Sequence, residues 1–463
     1  MTVYPQQVQL PVSKSLYIRR LIYDFCCLDR LGDIPSDAPS DVCVLHCALR
    51  LVQESKNGES PSEPVLIDVH DCGAAYRFLM ALLAVTQGQW LLTGTGRLLQ
   101  RPIEELVQCL QSIGADIQWI PDDDNVVSCK NGVVSCRDAL RRVFARKSAC
   151  WLIHGKNLHA PDLTIDCTRS GQFASALLLI GDKIGLKNLH IQPEHPSSFS
   201  YIEMTRAVVN GSIKLEDNRM ADWSAAVYWY ARLLLSHHIA RKTACKNSFE
   251  IHAPDSYKLM NLDLASLQAD AIVASWFAQW GVRSFQERDG VRIVHDKSID
   301  CQFDELELDV SQNLDQVPVL ACMACLWPKK MVLNGVANLK YKESNRLQII
   351  QEQLSAFADI KLNTYNGIVD NQLVVNPRRD RACHVSTICS NENDPNCTGV
   401  DFVFDAHNDH RFVMGFSLFA LCGEVCIKGF GCVRKSYPNF HAEGVIAGTD
   451  VLGQNLDDIL VFS

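Results

Sequence analysis

Lys342-Glu343-Ser344-Asn345-Arg346 sets two cations and a carboxylate side by side, just ahead of the run LQIIQEQL, whose apolar spacing is helical. Residues three apart on a helix share a face, so a helix opening at this motif is expected to turn Glu343 and Arg346 into one cleft, with Lys342 in the first turn. Free backbone N–H groups at a helix start also favour a bound anion. Such a group is poor core material and suits an acid that works among anions. Standing alone, the same motif reads equally as a solvated, salt-bridged helix start, so the rest of the chain has to decide.

The elements that must position it follow a recurrent pattern of a polar cluster, small residues and a helix-length apolar run. Copies begin at Lys14 (SKSLYIRRLIYDFCC), Asp71 (DCGAAYRFLMALLA), Ser170 (SGQFASALLLIG), Asp222 (DWSAAVYWYARLLL), Asp315 (DQVPVLACMACLW) and Asp409 (DHRFVMGFSLFALCG). Their bodies are apolar all round, which predicts buried helices with polar residues at the N-termini. Between them lie short β-branched or alternating stretches that read as strands: PVLIDVH, QWLLTGTG, LTIDC, LHIQP, FEIHA, VRIVH, LELDV, KMVLNG, QLVVNP and EVCIKG. Residues 92–117 and 333–360 share a sequence of strand, turn, basic residues and helix, ending before Asp-Ile. The chain therefore reads as α/β, with two similar domains of three repeated units each, buried helices and short mixed sheets. A site between the domains is the natural expectation, because the polar clusters are spread over both halves.

Composition narrows the partners. A chain of 463 residues with 47% hydrophobic content has room for a sizeable core in two or three domains. Its formal charge of −9 argues against a broad nucleic-acid or anionic-membrane surface, so any anion site must be built locally. The first residues, MTVYPQQVQLPVSKS, carry neither a signal-peptide nor a transit-peptide pattern. Nor does any apolar run approach the roughly 20 residues of a membrane span, so a cytoplasmic protein is expected. Twenty cysteines match no zinc or disulfide framework. The pair Cys322 and Cys325 sits inside an apolar run and reads as buried free thiols. Cys383 to Cys397 (CHVSTICSNENDPNC) reads as an inserted surface loop.

In order along nearly the whole chain, a set of short motifs resembles the 5-enolpyruvylshikimate-3-phosphate synthases of the enolpyruvyl transferase family. They are Ser13-Lys14-Ser15 with Arg19, Gly73 with Arg77, Arg101-Pro102-Ile103, Ser170-Gly171-Gln172, and Ser198 with Tyr201-Ile202. The series continues through Asp222 with Ser224, Asp315 with Pro318, Asn338, the Lys342–Arg346 motif, Asn408-Asp409-His410-Arg411 and Lys435-Ser436-Tyr437-Pro438. Each is weak by itself; their shared order is strong.

The resemblance implies transfer of the enolpyruvyl group of phosphoenolpyruvate to the 5-hydroxyl of shikimate 3-phosphate, with release of phosphate and no cofactor or metal. It implies Glu343 as proton donor to the methylene carbon and Asp315 as proton acceptor from the hydroxyl, with Lys14 between the substrates. For shikimate 3-phosphate it implies contacts from Lys14, Ser15 and Arg19, from Ser170, Gly171, Gln172 and Ser198, and from Asp315, Asn338 and Lys342. For phosphoenolpyruvate it implies Lys14, Gly73, Arg101 and Gln172, with Arg346, Arg411 and Lys435. The substrates together bring roughly −5 to −6 charge, and the cations at these positions, Arg77 included, balance that load. Arginines suit bidentate grip on carboxylate and phosphate. Asp222 reads equally as a helix cap and is left out of the catalytic set, and Asp409-His410-Arg411, seen alone, as a cap with a surface arginine.

The chain is expected to cross between domains near residues 13 and 221, making 13–221 one continuous domain and joining 1–12 to 222–463. Partners beyond the two small substrates, nucleic acid or membrane among them, are not expected, and the chain reads as a monomer. Three departures stand out: Asp71-Cys72-Gly73-Ala74 where the family usually has Asn-Ala-Gly-Thr, Gly171 in place of a serine, and Met220 in place of an acid. Asp71 would weaken anion binding unless Arg77 or a neighbour pairs with it. Rival readings are the sister enzyme acting on UDP-N-acetylglucosamine, an RNA-end cyclase of related fold, and a non-catalytic ligand-binding relative. The first would begin with Lys-Asn where this chain has Lys14-Ser15, and the second would need a basic surface. The third is opposed by the presence of both Asp315 and Glu343.

Overall fold

A computed structural model describes residues 6–57, 63–121, 149–213, 220–244, 254–299, 303–378, 400–441 and 459–462. The chain divides into two compact units, Met1–Ser13 with Glu216–Ser463, and Lys14–Leu215. Ser13, Met220 and Ala221 thus belong with the discontinuous unit, not with the continuous one expected over 13–221. The reason is local pairing: Val12 bridges Ala221, Ser13 N donates to Met220 O at 2.7 Å, and Asp222 N donates to Pro11 O at 2.9 Å.

Among the described residues the discontinuous unit carries three sheets. In the first, Gln6–Gln9 lies parallel to Ser256–Met260, which pairs antiparallel with Gly290–His295, and that strand with Val282–Glu287. The strand Gln6–Gln9 therefore completes a sheet whose other strands come from the middle of the sequence. The second sheet sets Glu305–Asp309 parallel to Lys330–Asn334, followed by antiparallel Ile368–Pro377 and Ala358–Tyr365. The third runs Phe402–Asp405, Val425–Lys428 and Ile459–Phe462.

In the continuous unit, Val65–Asp68 and Gly88–Thr93 are parallel, and Cys150–Gly155 and Asp116–Ile120 follow antiparallel. This is the strand pattern of the second sheet above, and it is why residues 92–117 and 333–360 look alike. A parallel pair, Asp162–Asp166 with Asn188–Gln192, is the other sheet of this unit among the described residues.

Each of the six apolar runs forms a helix: Lys14–Leu28, Gly73–Ala84, Gln172–Leu179, Trp223–Ala244, Val317–Leu326 and His410–Phe416. Val317–Leu326 is buried at every position, because VPVLACMACL has no polar face to turn outward. Cys322 and Cys325 are free and buried there, and burial pushes both thiols up. The helix His410–Phe416 approaches closely at Gly415, where a Cβ would stand 2.8 Å from Cys322 Sγ. That approach seats Asp409 near the start of Val317–Leu326. No described helix is long and apolar enough to cross a membrane. The strand expected at FEIHA and the loop from Cys383 to Cys397 lie outside the described residues.

Candidate active site

In the discontinuous unit three element starts supply the charged groups. Asp315 lies on the 3-10 turn Leu314–Gln316 that leads into Val317–Leu326, Arg346 opens the helix Arg346–Leu354, and Asp409 caps His410–Phe416. Asp409 acts as a cap because its side chain accepts from Arg411 N at 3.1 Å. With its backbone role met, the carboxylate still offers a fork to Arg346. Arg346 Nε and Nη2 donate to its two oxygens at 2.7 and 3.1 Å, and Nη1 donates to Asp315 Oδ1 at 2.9 Å. Ser344 Oγ adds a bond to Asp409 at 2.8 Å.

Around this core, Lys342 Nζ donates to Asp315 at 3.3 Å. Arg411 Nη2 lies 3.7 Å from Asp315 and 3.9 Å from Asp222, and Lys435 Nζ donates to Asn408 O at 3.1 Å. Glu343 Oε2 sits 2.8 Å from His410 Nδ1. Asn338 lies on the 3-10 turn Ala337–Tyr341, just ahead of Lys342.

The helix does not open at Lys342 as expected. Lys342 is extended, and Asn345 caps a helix whose first residue is Arg346, accepting from Gln348 N. Glu343 and Arg346 therefore do not share a helix face; the turn before the cap directs Glu343 toward His410. The sequence held a sign of this, since Asn345 followed three residues later by Gln348 matches the capping-box pattern.

Burial alone would push the Asp409 carboxyl up, but Arg346 outweighs it and holds the group below the usual carboxylate range. Burial likewise opposes charge on Arg346, and Asp409 and then Asp315 more than reverse that, raising it. Arg346 is 1% exposed and Asp409 0%, so this is an interior ion pair. Glu343, Asp409 and His410 bring possible metal-ligand atoms within 4.8 Å of one another. Both Asp409 oxygens already serve Arg346, and a guanidinium at that distance opposes a second cation, so the trio fits a metal poorly.

In the continuous unit a second set of predicted residues comes together. Lys14 opens Lys14–Leu28 and pairs with the buried Asp41 at 3.0 Å. Cys72, which precedes Gly73, points its thiol at Asp41 O at 3.9 Å. The Arg101 guanidinium packs on the bare Cα of Gly73, where a Cβ would stand 2.7 Å from Arg101 Cζ. Arg77 makes four hydrogen bonds among the described residues, all to uncharged oxygens. Pro102 O takes Nε at 3.1 Å and Nη2 at 2.8 Å, and Nη1 reaches Gly73 O at 3.3 Å and Gln172 Oε1 at 2.8 Å. Asp71 is not its partner.

Gly171 lies against the Ser198 carbonyl, and Ser170 Oγ accepts from Gln172 N at 3.3 Å at the start of Gln172–Leu179. Ser198 takes a left-handed backbone, φ 63°, ahead of Phe199–Val209. Arg19 donates to Thr205 Oγ1 at 2.7 Å and to Ser15 O at 2.8 Å, with Phe78 and Tyr201 rings over its guanidinium. Burial, with such neutral partners, lowers Arg19 to about 10, and it lowers Arg77 as well, where Arg101 adds repulsion.

The family model for EPSP synthase (3-phosphoshikimate 1-carboxyvinyltransferase) matches residues 47–132 and 253–443, more than half of the chain. The chain belongs to the EPSP synthase family. It is similar to the 3-phosphoshikimate 1-carboxyvinyltransferase of Bacteroides fragilis, with 26% identity over 457 residues, 94% of this chain and 93% of the relative. The enzyme of that name from Syntrophobacter fumaroxidans is 28% identical over 408 residues, 83% and 80% of the two chains. Among solved structures, the EPSP synthase of Acinetobacter baumannii shares the fold, with a TM-score of 0.55 and 16% identity over 95% of each chain.

Asp409 both caps its helix and holds Arg346, and Asp222, outside the expected catalytic set, faces Arg411. Arg411 is buried, which removes the alternative of a surface arginine. His410 and Asp41, partners of Glu343 and Lys14, carried no local signal. These acids also correct the expected charge balance. In the discontinuous unit Lys342, Arg346 and Arg411 already face Asp315, Asp409 and Asp222, so fewer positive charges remain for substrate than a count of cations implies.

Proposed function

We propose that this member of the EPSP synthase family transfers the enolpyruvyl group of phosphoenolpyruvate to the 5-hydroxyl of shikimate 3-phosphate, with Glu343 as proton donor and Asp315 as proton acceptor. The observation that carries the assignment is their unlike surroundings. Asp315 faces Arg346, Lys342 and Arg411, which favour its charged, basic form. Glu343 faces His410 at 2.8 Å, a partner able to share a proton with it. Two carboxyl groups with environments that separate their protonation supply an acid and a base at one pH.

In this reading Glu343 delivers its proton to the methylene carbon of phosphoenolpyruvate, which makes C2 electrophilic. The 5-hydroxyl attacks C2 as Asp315 takes its proton, and the tetrahedral adduct then loses phosphate. Arg346, Arg411 and Lys435 would hold the phosphoenolpyruvate anion from the discontinuous unit, and Lys14, Gly73, Arg101 and Gln172 from the continuous one. Ser15, Arg19, Ser170, Gly171, Ser198, Asn338 and Lys342 would complete the grip on shikimate 3-phosphate.

Phosphate release from phosphoenolpyruvate, measured with and without shikimate 3-phosphate, tests the reaction. Release is expected only with both present. Glu343→Gln should lower turnover by about 100-fold or more while binding of shikimate 3-phosphate persists. Normal turnover in that variant would remove Glu343 from the role of acid.

A further inference from the structure

We propose that Asp270 is a positioning residue for this chemistry, fixing from behind both the turn that carries Asp315 and the helix start that carries Asp222. The inference rests on the reading of Asp315 as proton acceptor. Asp270 is 2% exposed and lies on the 3-10 turn Ala269–Ile272, which leads into Val273–Gln279. Neither element supplies a residue to the cluster.

Asp270 nevertheless reaches two segments that do. Its Oδ1 accepts from Asn313 Nδ2 at 3.0 Å, and its Oδ2 accepts a short bond from Ser224 Oγ. Asn313 begins the turn Leu314–Gln316, its carbonyl accepting from Gln316 N at 3.0 Å, so holding its side chain orients the turn on which Asp315 sits. Ser224 is in the first turn of Trp223–Ala244, two residues after Asp222.

Gln268, from the same loop, grips the residues on either side of Asp222. Its Oε1 accepts from Trp223 N at 3.1 Å, and its Nε2 donates to Ala221 O at 2.7 Å. The two segments held this way are the two whose acids flank Arg411 Nη2, at 3.7 Å from Asp315 and 3.9 Å from Asp222. A carboxylate suits the task because it presents two acceptors in a rigid fork to two donors, whereas an amide presents one acceptor and one donor. An apolar residue would fill the space with less desolvation but would fix neither segment. Proton transfer to Asp315 depends on where its oxygens point, and a shift of about 1 Å away from the reacting atoms can cost about 100-fold in rate.

The test uses the full-length enzyme and exchanges the two partners. Asn313→Asp sets a carboxylate against Asp270 and should lower kcat for phosphate release about tenfold or more, with KM for both substrates within about twofold. Asp270→Asn combined with Asn313→Asp returns a donor and an acceptor to facing positions and should recover kcat to within about threefold of the parent. Each kcat is taken per folded molecule, well below the melting temperature. A double variant no faster than Asn313→Asp alone would overturn the proposal. So would a lowered melting temperature with unchanged kcat, the mark of a purely structural residue. Should Asn313→Asp fail to fold, Ser224→Ala cuts one arm only; kcat lowered about threefold at unchanged KM supports the proposal, and unchanged kcat overturns it. Failure of the underlying reading looks different, because Asp315→Asn would then keep its rate, or the parent enzyme would release no phosphate from this substrate pair.

Discussion

Arg346 in one unit and Arg77 and Arg19 in the other are all buried, yet they are held by opposite means. In the discontinuous unit Arg346 is enclosed by Asp409 and Asp315, so its charge is answered by carboxylates. In the continuous unit Arg77 and Arg19 are just as deeply buried, yet the oxygens of Pro102, Gly73, Gln172, Thr205 and Ser15 that hold them are neutral. Hydrogen bonds orient those two guanidinium groups without cancelling their charge, and burial accordingly lowers both while Arg346 is raised. The lesson is a division of labour. At Arg346 the buried charge is balanced by carboxylates, whereas Arg77 and Arg19 keep theirs with neutral partners alone in hydrogen-bond reach.

Removing the counter-charge breaks this comparison most sharply. Asp409→Ala removes two of the three hydrogen bonds from buried Arg346 to carboxylates and leaves Asp315 alone to answer its charge, and loss of one partner of a buried pair costs about 3–5 kcal/mol. We expect a correspondingly lower urea midpoint, and turnover lost with it, because Arg346 would no longer be fixed in place against Asp315. A midpoint within error of the parent would mean that the pair is not the lock described above.

Arg77→Met is the matching change in the other unit, and its expected cost is smaller. It removes a cation with no carboxylate partner and leaves the carbonyls of Pro102 and Gly73 and the Gln172 amide oxygen to find new donors, about 1–3 kcal/mol. If Arg77→Met proved as damaging to stability as Asp409→Ala, the contrast between ionic and neutral holding would fail.

What the sequence disclosed follows the same division. Apolar runs such as VPVLACMACL announce buried helices by themselves, since a segment with no polar face has one place to go. Strands with alternating or β-branched character, such as KMVLNG, were equally legible, whereas Val282–Glu287 (VRSFQE) mixes polar residues into both faces and was not. At the site, residue types were readable and pairings were not. Arg346 meets Asp409 across 63 positions and Arg77 meets Gln172 across 95, distances at which no local spacing carries information. Met220, noted as a lost acid, sits where a backbone carbonyl receives Ser13 N, so what the chain uses there is the main chain.

A gentler change probes the neutral unit alone. Gly73→Ala would place a methyl group on the Arg101 guanidinium, 2.7 Å from Cζ. The far end of a long side chain can move aside, so the fold should hold, and the displaced guanidinium should weaken its grip on phosphoenolpyruvate. We expect KM for phosphoenolpyruvate to rise about tenfold, near the 1.4 kcal/mol that corresponds to that factor, with KM for shikimate 3-phosphate and the melting temperature little changed. An unchanged KM for phosphoenolpyruvate would remove Arg101 from that contact.

The smallest effect comes from acid, and it separates Arg346 from Arg77 and Arg19. Asp409 titrates below its ordinary range when folded, because Arg346 outweighs the effect of burial. The unfolded chain therefore binds a proton there first as pH falls. The pair's contribution is complete above the ordinary carboxyl value of about 4 and is lost as pH drops through the folded value, at up to about 1.4 kcal/mol per pH unit. Arg77 and Arg19 face neutral oxygens that take up no proton in this window, so these two arginines contribute no such slope. Amide hydrogen exchange between pH 5 and pH 3, corrected for intrinsic rates, should show protection falling sooner in peptides spanning Leu314–Gln316 and Arg346–Leu354 than in those spanning Gly73–Ala84 and Gln172–Leu179. Asp409→Asn should flatten the first response and leave the second alone. Equal loss of protection in both units would show that carboxylates other than Asp409 govern the acid limit, and the ionic lock would then be local to the site, with no hold on the unit that carries it.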